Sequence, residues 1–224
     1  MHGVKTISEE VIMDNFTSKS GKKILSDLIE TIQKNASLLS EIDGAIGDGD
    51  HGINMNKGFT KAQQFIGGDS MELSEALDSL GSVLITEIGG AMGPLYGTFF
   101  MEMAAACKGV SAIDRELFGK MLESGYRGIL DLGNAKVGDK TLVDTLEPAV
   151  RSYQEALMRG ESFSNALKEM VAAAEKGKES TRDLVARVGR ASRLGDRSKG
   201  VLDAGATSCF LILSSLANSI QQLI

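Results

Sequence analysis

The sequence predicts an all-α protein of about eight helices, and three observations lead there. Helix-forming residues dominate every long segment. Apolar residues recur at three-to-four spacing, while no two-residue alternation lasts beyond a few positions, so a sheet is not expected. Only two prolines, Pro94 and Pro148, interrupt 224 residues, and both suit a first helical turn or a kink. No repeat, low-complexity tract or flexible linker divides the chain, which reads as one domain over 1–224 with short antiparallel connections.

In chain order, the stretch 22–39 sets Leu25, Leu28, Ile32, Ala36 and Leu39 on one face, the mark of a helix buried along one side. Further helices are expected over 53–66, 72–88, 94–108, 114–132, 142–158, 162–188 and 203–222. Asp69-Ser70 ahead of Glu72, and Ser111 ahead of Asp114, are the N-terminal caps expected for two of them. The basic run from Arg182 to Gly200 reads first as a solvated helix end followed by a loop.

Composition narrows the function classes. Hydrophobic residues make up 42% and charged residues 24%, the profile of a soluble globular protein. No apolar run reaches membrane-spanning length, and the opening M-H-G-V-K-T-I-S-E-E has no signal-peptide core. Cys107 and Cys209 lie in apolar surroundings without a C-x-x-C pairing, so buried free thiols and a cytoplasmic location are expected. A net charge of −6 argues against a general nucleic-acid binder.

The glycines cluster at the expected helix junctions: 44–52, 89–93, 133–138 and 189–205. Alternate junctions of an up-and-down bundle lie at one end, so that end is shaped for close approach to a ligand. Ordinary capping accounts for single glycines. It does not account for Gly44, Gly47, Gly49 and Gly52 interleaved with Asp43, Asp48 and Asp50.

Those three carboxylates repel one another unless a cation neutralises them, and a hard divalent ion such as Mg²⁺ is the natural occupant. The spacing is not that of an EF-hand. His51 is open to three roles: metal ligand, hydrogen-bond partner of a phosphate, or cap. Beside hard oxygen ligands the phosphate role is favoured. Asn54, one turn on, offers an amide in the same direction, and the helix start after His51 suits an anion. In the segment G89-G-A-M-G-P-L-Y-G-T98 the glycines leave room for main-chain N–H groups to face a phosphate, but tight helix packing selects the same small residues. G133-N-A-K-V-G138-D-K140-T141 nearly matches a P-loop, but Asp139 interrupts it and a helix rather than a strand precedes it. The P-loop is rejected, leaving a capped helix start near Thr141. An arginine from the C-terminal basic run is either a surface ion pair or a phosphate contact.

Together, I-G-D48-G-D50-H51-G-I-N54-M, G89-G-A-M-G-P-L-Y-G-T-F-F, G138-D-K-T141-L-V-D and G189-R-A-S-R-L-G-D-R-S-K-G-V-L-D203-A-G-A-T-S resemble the nucleotide-binding L subunit of dihydroxyacetone kinases. The motifs span most of 20–224, and residues 1–20 carry none. The resemblance implies an eight-helix antiparallel up-and-down barrel with ADP, or ATP, and Mg²⁺ at one end. It implies that Asp43, Asp48 and Asp50 hold the metal and carry catalysis. His51, Gly52, Ile53 and Asn54 would surround the phosphates, with Ala91, Met92, Gly138, Thr141, Arg190, Asp203, Ala204 and Gly205 completing the nucleotide site.

Two departures stand out: Met92 replaces the family's usual serine, leaving only a backbone N–H there, and Ala204 replaces a common proline. The implied reaction is phosphoryl transfer to a small ketose held on a separate K subunit. The donor is either exchanging ATP or, in the phosphotransferase-coupled branch, resident ADP recharged by a phosphohistidine-donor M subunit; a separate short chain favours the coupled branch. Erythrulose is an alternative ketose, and a homodimer is compatible with the resemblance. A nucleotide-loaded regulatory module without transfer activity is the reading from a different class.

Overall fold

The computed structural model describes residues 14–224. Among them are eight α-helices: α1 (Gly21–Ile46), α2 (His51–Ala62), α3 (Leu73–Glu87), α4 (Met92–Cys107), α5 (Arg115–Leu132), α6 (Val143–Met158), α7 (Phe163–Ser180) and α8 (Ala204–Gln221). Each helix packs on the next, and α8 returns to α1, so the up-and-down order closes into a barrel. The ends of α1, α3, α5 and α7 and the starts of α2, α4, α6 and α8 therefore share one end.

The core is the sum of the apolar helix faces. In α1 the predicted stripe of Leu25, Leu28, Ile32 and Leu39 is buried, while Ala36 is only half-buried. Phe59, Phe100, Phe118, Tyr153 and Phe163 fill the interior. Phe118 and Tyr153 meet edge to face with ring centroids 5.6 Å apart, and Phe59 and Phe100 do so at 6.2 Å. Cys107 and Cys209 are buried free thiols, as expected. No helix of the described residues is long and apolar enough to cross a membrane.

Several boundaries move. Helix α1 continues to Ile46, seven residues beyond the expected end, so Asp43 stands on its last turn rather than in the loop; the Gly47 N–H closes the helix on the Asp43 carbonyl at 2.5 Å. Helix α2 starts at His51, not residue 53. The helix expected to run to 188 stops at Ser180, where Thr181–Asp183 tighten into a 3-10 turn. Residues beyond it form an excursion whose far side, Arg190–Ser198, is 3-10 in character. Asp69 is not a cap: it pairs with Lys22 at 2.6 Å, and α3 starts at Leu73. Ser111 is not one either, because the Asp114 side chain accepts the Leu117 N–H at 2.7 Å.

Contrary to the expectation of no sheet, β1 (Asn15–Thr17) and β2 (Ala112–Asp114) form a short antiparallel ladder with Phe16 opposite Ile113. Three residues are too few to show an alternation, but both of these side chains are buried, which fastens residues 15–17 to the barrel. The expectations for the opening segment before Asp14 fall outside the described residues.

One crossing positions the site. A Cβ on Gly52 would lie 1.9 Å from the Ala36 carbonyl oxygen and 2.8 Å from the Ser40 nitrogen. Helices α1 and α2 thus touch backbone to backbone, which only glycine permits. Gly52→Ala is expected to force them apart and lower stability by about 1–3 kcal/mol. Urea unfolding followed by circular dichroism measures it, and an unchanged midpoint would contradict this packing.

Candidate functional site

A cleft of about 450 Å³ opens at the end where these junctions converge. On one wall stand Asp43, from the last turn of α1, and Asp48 and Asp50, from the turn into α2. One oxygen of each lies within 4.8 Å of the others. Ligand oxygens on a single Mg²⁺ stand about 3–4 Å apart, so modest side-chain rotation brings these three onto one hard cation. Two local features favour such a cation. A Cβ at Gly47 would fall 2.4 Å from the Asp43 carboxylate oxygen, so glycine keeps that carboxylate's place open. A positive group is also already drawn in: the Arg190 guanidinium bonds to Asp48 and reaches Asp50 at 3.3 Å.

Helix starts share the cleft with the acids. Neither α2 nor α4 is capped by its own N-cap side chain; the His51 N–H is given to Asp43 at 3.3 Å, and the remaining first-turn N–H groups and the dipole favour an anion. Asn54, on the first turn of α2, and Ala91 and Met92, at the start of α4, line the cleft. The Met92 side chain packs partly against the core. Leu95, Leu142 and Val188 supply apolar wall.

His51 belongs to the cleft floor. Its ring is buried, and Nε2 lies 2.9 Å from the Ser208 hydroxyl. That hydroxyl is 2.6 Å from the Tyr96 hydroxyl, which donates to the Gly205 carbonyl at 3.0 Å. The chain of bonds ties α2, α4 and α8 together beneath the site. Burial holds the His51 pKa down to about 4, although the Asp43 charge opposes the shift. The same burial raises the Tyr96 pKa well above its ordinary value, so both groups are neutral links near pH 7.

The start of α6 is organised by Asp144, buried on its first turn, which accepts from the N–H groups of Gly138 at 2.6 Å and Thr141 at 2.7 Å. The Asp203 carboxylate caps α8 by accepting the Ala206 N–H at 2.7 Å. Burial, aided by the charge of Asp144, pushes its pKa up to about 7 against the stabilising N–H of Ala206.

Of the residues singled out from sequence, the cleft brings together Asp43, Asp48, Asp50, His51, Asn54, Ala91, Met92, Thr141, Arg190, Asp203, Ala204 and Gly205. Gly52, Ile53 and Gly138 do not line it. Gly52 is taken up by the α1 crossing, Ile53 is exposed, and the Gly138 N–H is given to Asp144. Tyr96, Ser208, Asp144 and Lys140 were missed as site-forming residues. Asp144 left a signal, a carboxylate three residues after Thr141 at a helix start. Tyr96 and Ser208 left none, since their partners are distant in sequence.

The chain is thus an all-helical barrel with an acid cluster and several helix starts gathered at one end. Residues 45–218 match the family model described as the DAK2 domain, and the chain belongs to that family. It is 38% identical over 86% of its length to 91% of a Listeria innocua protein named PEP-dependent dihydroxyacetone kinase 1, ADP-binding subunit DhaL. It is also 38% identical, over 80% of the chain, to 86% of the corresponding ADP-binding subunit of Escherichia coli. The fold is shared with the dihydroxyacetone kinase of C. freundii, solved in complex with AMP-PNP and Mg²⁺, at a TM-score of 0.66 and 21% identity over 98% of this chain and 37% of that one.

The lowered His51 pKa has a measurable consequence. The unfolded chain takes up this proton near pH 6.5 and the folded protein only near 4. Stability from keeping the ring neutral is therefore complete above pH 6.5 and is lost as pH falls towards 4, by at most about 3 kcal/mol. The chain has two histidines, so a His2→Ala variant leaves a single imidazole for an NMR titration. A midpoint below 5 is expected; one near 6.5 would contradict the buried, neutral ring.

Proposed function

We propose that this chain is the nucleotide-binding L subunit of a dihydroxyacetone kinase, carrying ADP with Mg²⁺ and passing phosphoryl from bound nucleotide to dihydroxyacetone held on a partner K subunit. The observation that carries this reading is the convergence, in one cleft, of the Asp43, Asp48 and Asp50 cluster and the starts of α2 and α4. Carboxylates attract a hard cation and free N–H groups attract phosphate oxygens, so a metal-bridged diphosphate suits both. The names of the Listeria and Escherichia coli relatives support the nucleotide, the kinase and the subunit arrangement.

The three aspartates would hold Mg²⁺, which would supply charge neutralisation across the nucleotide phosphates. The first turns of α2 and α4 orient phosphate oxygens through main-chain N–H groups, and Arg190 adds a charge-assisted donor at the cluster's edge. Leu95, Leu142 and Val188 offer an apolar seat for a base. Positioning and charge stabilisation of this kind account for most catalysis of phosphoryl transfer. The acceptor sugar must come from outside, and the cleft end carries the exposed apolar side chains Ile53, Leu132, Val137 and Val188, which suit a docking partner.

The phosphotransferase-coupled branch is favoured, because the Listeria and Escherichia coli relatives are named as ADP-binding subunits of PEP-dependent kinases. In that branch ADP stays bound and a phosphohistidine-donor M subunit recharges it. The reading places the protein in the cytoplasm as one nucleotide-binding domain over 1–224, and a homodimer is compatible with it.

Calorimetry with ADP is expected to show binding that requires Mg²⁺; its absence in the presence of Mg²⁺ would sink the proposal. With a K subunit and a recharging system, Asp48→Ala should lose about 100-fold or more in transfer while keeping the helical spectrum. Transfer at the wild-type rate would remove Asp48 from the metal site. Supplying ATP alone, or the phosphohistidine donor alone, separates the two branches.

A further inference from the structure

The loop that brings Arg190 to the acids leaves the barrel after Leu184 and returns at Val201. It has little core of its own: between those residues only Ala186 and Ser198 are buried, and the Ser198 hydroxyl accepts the Ala186 N–H at 2.9 Å and donates to the Gly195 carbonyl at 2.6 Å. Its two ends meet directly where the Gly200 N–H donates to the Arg182 carbonyl at 2.7 Å, and a side chain from another part of the chain bridges them as well. The Lys140 ammonium donates to the carbonyls of Leu184 at 3.2 Å and Val201 at 2.6 Å, one on each side of the neck, and to Thr181 at 2.7 Å where α7 ends. Its three donors are thereby matched by three acceptors.

Lys140 is 1% exposed, and it is the non-glycine among the described residues with a positive φ, 62°. That strained backbone is over-determined by its neighbours: Asp144 bonds the N–H groups on both sides of it, and the Asp139 carbonyl accepts the Arg187 N–H at 3.1 Å. In sequence Lys140 occupies the place of a phosphate-binding lysine in the near-miss P-loop, but here the ammonium is committed to main-chain carbonyls.

We propose that Lys140 is a positioning residue for phosphoryl transfer: it clasps the neck of the 185–200 loop and so sets Arg190 against the metal and phosphate site. It acts through Arg190 and touches neither nucleotide nor sugar. The transfer readout rests on the function proposed above, whereas the loop readout does not.

The test uses Lys140→Met, Arg190→Ala and their combination in the full chain, with trypsin as the loop probe, since Arg187, Arg190, Arg193 and Arg197 are exposed there. Lys140→Met is expected to retain its helical spectrum, to be cut between 187 and 197 about tenfold faster than wild type, and to lose about tenfold or more in kcat with the K subunit present. With Arg190 already alanine, adding Lys140→Met should cost less than about threefold, because the two act as one unit. Multiplicative losses, or lost transfer with an uncut loop, would make Lys140 a direct phosphate contact and overturn the proposal. Unchanged transfer would overturn it as well. Should Lys140→Met not fold, Lys140→Arg keeps a cationic donor: loop resistance and kcat within about threefold of wild type support the clasp, and a resistant loop with transfer lost overturns it. If wild type itself binds no nucleotide, the functional reading fails while the cleavage comparison still decides whether Lys140 holds the loop.

Discussion

The site depends on how closely α1 and α2 cross. Where Gly52 meets Ala36, the helices have no side chain between them, and the turn joining them spans only Gly47 to Asp50. Asp43 on the first helix and Asp48 and Asp50 on the turn are consequently held within one cation's reach, with the start of α2 beside them. A wider crossing would separate the first carboxylate from the other two and point the helix start elsewhere. The apolar core sets the barrel's existence, but this backbone contact sets the geometry of its working end.

Gathering negative charge in this way is unfavourable by itself, and the structure compensates locally. Arg190 answers Asp48 and Asp50, the His51 main-chain N–H donates to Asp43 at 3.3 Å, and the starts of α2 and α4 bring their positive ends to the cleft. Asp144 and Asp203 serve the fold instead, since each is committed to main-chain N–H groups and shapes a helix start. The carboxylates thus divide into a group left accessible and a group consumed by the fold. Hydrogen bonding rather than burial draws the line: Asp144 is 1% exposed, but Asp203 is half-buried like Asp43 and Asp50.

The exposed pairs elsewhere, such as Lys34 with Glu30 and Arg127 with Glu123, are ordinary helix-surface contacts worth little to stability. Stability resides in the buried helix faces and in their aromatic contacts. The polar network of His51, Ser208 and Tyr96 lies inside as well, and pairing of its hydroxyls makes that burial tolerable.

The helix count, the core face of α1 and the acid cluster were legible because each is a local pattern: periodic apolar residues, or unlike residue types gathered within a dozen positions. Helix ends were less so. Gly44 and Ser40 weaken α1 locally, yet packing against α2 and α8 carries it through to Ile46. The apolar pattern of 184–188 suggests more of α7, while the structure spends the Leu184 carbonyl on Lys140. By itself, the sequence determined the all-helical class, the carboxylates that gather and the glycines needed for close approach, because these follow from spacing and residue chemistry. Only the tertiary structure decided that Gly52 serves a helix crossing, that His51 bonds to Ser208, that Arg190 reaches the acids and that Lys140 closes a loop. Each of those joins groups far apart in the chain, and no local pattern encodes a contact whose partner is set by the closure of the barrel.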